Sequence, residues 1–151
     1  MLPKIKKQLG FTLIEVIVVI ALLAILATIV LVAINPAQNS KDARNTKRRN
    51  DVLQILNSVN QYYVANGSLP TGTPAAGDPA VDIKSAAGGT LAAFCNAIVP
   101  TYIAALPYDT NGSFISCSSY DSKYTISVAT AGNRVTISVT DTEGTGISAT
   151  R

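Results

Sequence analysis

The 151-residue sequence contains no histidine, no tryptophan and a single methionine. Without histidine there is no imidazole base near neutral pH, no Ser-His triad and no histidine metal ligand, which excludes the commonest hydrolytic and metal chemistry. Charge is scarce as well. Only 14% of residues are charged while 48% are hydrophobic, too apolar a balance for a disordered or acidic chain. The basic excess is local. Lys4, Lys6 and Lys7 supply three of the 12 basic side chains, and the nine that remain face nine acidic ones. The formal charge of +3 therefore belongs to one end and does not mark the whole chain as a nucleic-acid binder. Glycine is absent between Gly10 and Gly67, so a helix through this region has one obvious place to break, Asn35-Pro36.

What is present is a long apolar run. Residues 11–34, FTLIEVIVVIALLAILATIVLVAI, hold one charge, Glu15, and two other polar side chains, Thr12 and Thr28. As a helix these 24 residues extend about 36 Å, enough for a hydrocarbon core about 30 Å thick. The run exceeds the apolar core of about 7–15 residues in a cleaved secretory signal, so it reads as an N-terminal membrane anchor. Glu15 sits badly in that reading, since an acid within a bilayer costs about 2.5–3.5 kcal/mol and needs a partner or a cavity. No Lys, Arg or Asn lies between Glu15 and Asn35. Two readings stay open: Glu15 lies within the headgroup layer, half solvated or protonated, or its partner belongs to another chain.

The string Gly10-Phe11-Thr12-Leu13-Ile14-Glu15, after a short lysine-containing leader and before an apolar helix, resembles the N-terminus of type IV prepilins and pseudopilins. That resemblance implies a leader, residues 1–10, cut between Gly10 and Phe11 by a prepilin peptidase that also N-methylates Phe11. It implies a single-pass membrane precursor with a cytoplasmic N-terminus, an inner-membrane assembly platform as partner, and a helical homopolymer at the cell surface. It also supplies a partner for Glu15, the N-terminal amine of a neighbouring subunit. Lysine and arginine counts do not set the orientation, because Lys41, Arg44, Lys47, Arg48 and Arg49 follow the span. The exterior placement of the C-terminal part rests on the resemblance, on two cysteines and on a Ser/Thr-rich tail.

The expected organisation is α+β, the pilin fold. A long N-terminal helix has a transmembrane first half, 11–34, and an amphipathic second half, 35–66, packed against a small antiparallel sheet within 67–151. Val52, Ile55, Leu56, Val59 and Tyr63 recur at helical spacing, and Asn66-Gly67 is a stop signal. Residues 68–90 read as an extended loop and Leu91–Ala105 as a short helix broken at Pro100. Tyr124, Ile126, Val128 and Val135, Ile137, Val139 alternate around a turn at Thr130-Ala131-Gly132-Asn133, a β-hairpin. Ser113–Ser118 and Gly146–Thr150 could add strands, for three or four in all. The segment Leu106-Pro107-Tyr108-Asp109 resembles the Leu-Pro-x-Asp passage of major pseudopilins. Cys95 and Cys117 are the only cysteines and read as one disulfide.

Two charged groups invite functional readings. Lys41, Arg44 and Lys47-Arg48-Arg49 put residues 41, 44 and 48 on one helix face, read as a solvated or intersubunit face, with anionic lipid or DNA as the alternative. Asp109, Asp121, Asp141 and Glu143, with Asn111, offer oxygen ligands of the type Ca2+ takes but match no calcium-loop spacing, so no cofactor is the expectation and a Ca2+ site of the kind in major pseudopilins the alternative. Asp141 and Glu143 are the nearest approach to a hydrolase pair, and no enzymatic activity is expected. The functional expectation is a type IV pilus-like filament subunit. The alternatives are a pseudopilin of type II secretion or competence, and, of a different class, a monomeric membrane-anchored binding module.

Overall fold

The computed structural model describes residues 10–85, 91–139, 143 and 146–151. The leader lysines and Asp141 lie outside the described residues. The chain divides into two units, Met1–Ser40 and Lys41–Arg151.

In the first unit, helix α1 (Leu13–Ile34) is built from Leu, Ile, Val and Ala apart from Glu15 and Thr28, and buries none of its residues within the chain. It closes at Asn35, which adopts the left-handed conformation (φ 44°, ψ 73°) that Asn tolerates better than most residues. Pro36 then opens helix α2 (Pro36–Asn66), where its missing N–H costs nothing. Polar groups freed at the junction are met locally. Asn39 Nδ2 donates to the Ile34 carbonyl at 3.0 Å, and the Gln38 amide donates to Asn35 Oδ1 at 3.3 Å.

In the second unit α2 buries Val52, Ile55, Leu56 and Val59 at the spacing of one helix face. Tyr63, expected on that face, is 38% exposed and lines a small open cavity with Leu69 and Gly132. Tyr62 makes the contact with the core instead, edge-on to Tyr102 at 5.6 Å between ring centres. Gly67, at φ 71°, ends α2, and its N–H donates to the Tyr63 carbonyl at 2.8 Å.

The sheet has five antiparallel strands, one more than the upper expectation. They are β1 (Val81–Lys84), β2 (Ser113–Ser116), β3 (Ser119–Val128), β4 (Val135–Val139) and β5 (Ser148–Thr150). The order is β1-β3-β4-β5, with β2 also paired to β3. β1 lies inside the stretch read as a loop; four residues among prolines and glycines, with only Ile83 buried, give too little alternation to register. Helix α3 (Leu91–Ile98) stops well before Ala105, since Pro100 cannot donate a helical hydrogen bond and disfavours the helical conformation at Val99. β3 and β4 carry the sheet: Tyr124, Ile126 and Val128 pair with Val139, Ile137 and Val135 on the core side. Outside, Thr125 and Ser138 hydroxyls meet at 2.6 Å. Cys95 of α3 is bonded to Cys117 in the β2–β3 turn, closing a loop whose ends are 22 positions apart. By the chain-entropy relation this stabilises by roughly 3 kcal/mol.

Where the loop after Asp109 meets β3, backbone crowds backbone. A Cβ on Gly112 would lie 2.5 Å from the Asp121 carbonyl oxygen and 3.2 Å from that of Asp109. Gly112→Ala is expected to cost about 1–3 kcal/mol, read as a lower urea midpoint for the oxidised protein; an unchanged midpoint would show that this approach is not tight.

Candidate functional site

The sequence-predicted assembly residues lie at the start of α1. Thr12 is its N-cap and Glu15 its third residue, and together they form a capping box. The Thr12 amide and hydroxyl both donate to Glu15 Oε2, at 2.9 and 2.8 Å, and the Glu15 amide donates to Thr12 Oγ1 at 3.3 Å. Glu15 therefore has donors within its own segment, which a search for basic residues further along the helix overlooks. The signal was the Thr-x-x-Glu spacing itself. These donors are neutral, so they fix the carboxylate over the first turn without cancelling its charge. Thr28, the other polar side chain of α1, donates to the Ala24 carbonyl at 2.9 Å.

Phe11 is 89% exposed, and a Cβ on Gly10 would meet nothing within 4 Å. Among the described residues nothing packs closely enough to require glycine at position 10. Among the described residues one helical stretch, Leu13–Asn66, contains a segment long and apolar enough to cross a membrane. An α-helical surface that is apolar on every side is stable only where something apolar surrounds it.

The basic stretch after this segment is not a free cationic stripe. Arg48 is 2% exposed, and its Nε and Nη2 donate to Asp109 Oδ1 and Oδ2 at 2.9 and 2.8 Å. Its Nη1 donates to Asn45 Oδ1 at 3.1 Å and to Glu143 Oε2 at 3.4 Å. Arg44 grips Glu143 with Nε and Nη2, the shortest contact being 2.6 Å. Lys47 pairs with Asp51 at 2.6 Å, donates to the Tyr108 carbonyl and lies 5.7 Å from the Tyr108 ring centre. Asp51 also accepts from the Tyr124 hydroxyl at 2.7 Å. Two of the five cations expected on a solvated face, Arg44 and Arg48, are thus engaged by the carboxylates read as calcium ligands. Asp121 is paired with Lys123 at 2.6 Å, and among the described residues no three His, Cys, Asp or Glu side chains group as metal ligands.

The titration of these groups follows from their partners. Burial pushes Asp109 up, but hydrogen bonds from Arg48 and Thr110 and the Arg48 charge outweigh it and hold the carboxyl below its ordinary value. Arg44 likewise holds Glu143 low. Burial lifts Tyr120 to about 12. Burial, then the Asp51 carboxylate, raise Tyr124 further. Leu106-Pro107-Tyr108-Asp109 is thereby given a structural part: Leu106 enters the core and Asp109 clasps the helix.

The long helix followed by a small antiparallel sheet is a pilin-like architecture. Residues 5–31 match the family described as the prokaryotic N-terminal methylation motif, so the chain carries the class III signal peptide of type IV pilins. The motif supports a type IV pilin- or pseudopilin-like precursor, implies processing by a prepilin peptidase and indicates a structural subunit, and the apolar helix fits a membrane anchor. No curated protein and no solved structure matches the chain.

Removing one partner from the Arg48–Asp109 pair strands the other without water. Arg48→Ala or Asp109→Ala is expected to cost about 3–5 kcal/mol in urea unfolding, whereas Lys47→Ala, at a half-exposed pair, costs about 1 kcal/mol or less. Because the folded Asp109 pKa is depressed, its contribution is present above the ordinary carboxylate range and lost as pH falls through that range. Stability measured from pH 6 down to pH 2 should decline below about pH 4, less steeply in Asp109→Asn. Equal slopes would remove Asp109 from the acid transition.

Proposed function

We propose that the chain is the structural subunit of a type IV pilus-like filament, cleaved after Gly10, N-methylated at Phe11 and polymerised through α1 into a surface fibre. The observation that carries this reading is a signal of this class joined directly to a helix with no buried residue, opened by a carboxylate whose donors, among the described residues, are neutral. Such a carboxylate asks for a cation once lipid or other helices exclude water. Cleavage between Gly10 and Phe11 creates one, an amine one residue before the cap that holds Glu15. In a polymer the amine of one subunit faces Glu15 of its neighbour, and desolvation strengthens the attraction. The positive end of the helix dipole adds to it.

Before cleavage the same position is a neutral peptide, and the leader adds three lysines. The uncut chain can be held in the membrane but cannot form the pair. Proteolysis thus makes assembly one-way, because the charge that closes the contact exists only after the leader is gone.

Intact mass of the protein from its own membranes should show loss of residues 1–10 and a gain of one methyl group; a mature chain starting at Met1 removes this reading. Gly10→Ala, which disturbs no contact in the chain, should accumulate as membrane-held precursor. Glu15→Val should be cleaved and inserted as well as wild type yet give filament yields lowered by about tenfold or more, as expected when one member of a desolvated pair is lost. Wild-type yield from Glu15→Val would take that residue out of assembly.

A further inference from the structure

The two cysteines of the sequence are joined in the structure, yet they sit in opposite surroundings. Cys95 lies on the face of α3 that also buries Leu91, Phe94 and Ile98, and none of its surface reaches solvent. Tyr120 of β3, buried as well, holds this helix to the sheet, its hydroxyl donating to the Leu91 carbonyl at 2.5 Å. Cys117 is placed differently. It opens the two-residue turn between β2 and β3, whose strands pair as far as Ser116 and Ser119, and it keeps part of its surface exposed. Its neighbours Ser116, Ser118 and Ser119 are small and exposed, and the Ser116 and Ser118 hydroxyls meet each other at 2.9 Å. The turn therefore carries no bulky side chain to shield the sulfur.

Thiol–disulfide exchange needs a thiolate and a sulfur that can meet in line, so access decides which cysteine reacts with an outside partner. We infer that the folded second unit takes its disulfide through Cys117: an external disulfide is attacked there, and Cys95, inside the core, closes the bond. In the first step the Cys117 thiolate attacks one sulfur of the external disulfide, forms a mixed disulfide and releases one thiolate of the oxidant. In the second the Cys95 thiolate attacks the Cys117 sulfur, the Cys95–Cys117 bond forms, and the second thiolate of the oxidant leaves. The two cysteines lose two electrons and two protons, and the external disulfide gains them as two thiols.

The second step is the slow one, because a thiol in apolar surroundings gives up its proton reluctantly. Reduction meets the same asymmetry in reverse. A thiolate that reaches Cys117 has to expel the Cys95 sulfur as an anion into the core, where the charged form is disfavoured, so the finished bond resists reductants while the unit stays folded. The inference concerns the maturation of the second unit and does not depend on the reading of the chain as a filament subunit.

Cys95→Ala leaves Cys117 as the sole thiol, and Cys117→Ala leaves Cys95. With oxidised glutathione in native buffer, the full chain carrying Cys95→Ala should gain one glutathionyl group, by intact mass, roughly a hundredfold faster than the full chain carrying Cys117→Ala, and denaturing urea should close the gap. Equal rates for two variants that each unfold cooperatively in urea overturn the assignment, as does faster reaction at Cys95. The unaltered protein supplies a measurement that depends on neither variant folding. Its disulfide should be reduced by dithiothreitol roughly a hundredfold more slowly in native buffer than in denaturing urea. Reduction as fast in native buffer as in urea shows that burial of Cys95 does not govern the exchange and overturns the inference.

Discussion

A helix of 22 residues that buries nothing within its own chain is the constraint from which the rest follows. Leu, Ile, Val and Ala on every side of α1 leave no face for water, so the segment is stable only in lipid or among other helices. The second unit is the reverse case. It has an internal core, its buried side-chain polar atoms all have partners among the described residues, and many of its charges are paired. The sequence thus joins a part that needs an apolar surrounding to a part that is complete in water. Asn35 is the single residue between α1 and α2, and the boundary between the two units falls within the first turns of α2.

The second unit reaches that completeness by an unusual amount of polar bonding at one end of α2. Val52, Ile55, Leu56 and Val59 attach the helix to the sheet by apolar burial, whereas one to two turns earlier the attachment is ionic, through Arg44, Arg48, Asp109 and Glu143. A buried ion pair is a poor source of net stability compared with hydrocarbon, but it tolerates no alternative register. A bidentate guanidinium on Asp109 fixes where the 107–112 loop lies on the helix, and so where β2 begins. Ser122 does a similar job across the sheet, where its hydroxyl donates to the Ile83 carbonyl at 2.6 Å.

Much of this was legible in the chain because it rests on period and local stereochemistry. The hairpin of β3 and β4 follows from strict alternation, the end of α2 from Asn66-Gly67, and the class of the N-terminus from six contiguous residues. What escaped depended on distance in sequence. Arg48 finds Asp109 across 61 positions and Arg44 finds Glu143 across 99, so members of the basic stripe and the acidic set that look separate in sequence form one clasp, buried at Arg48–Asp109 and partly exposed at Arg44–Glu143. β1 escaped because a four-residue strand with one buried side chain gets its identity from Ile126 and Thr125 opposite it, not from its own pattern. The Thr12–Glu15 capping box is different. It is readable at a spacing of three, and its donors carry no positive charge.

The covalent loop from Cys95 to Cys117 encloses Asp109. Force passed through the Arg48–Asp109 pair, beside the apolar contacts of α2, therefore arrives at a side chain mounted on a closed ring, not on an open strand of backbone. Such a ring cannot lengthen beyond the chain it contains, and its base is anchored at once in α3 and in the β2–β3 turn. Displacement of Asp109 by such a force is bounded by the ring and is passed to α3 and to the β2–β3 turn together.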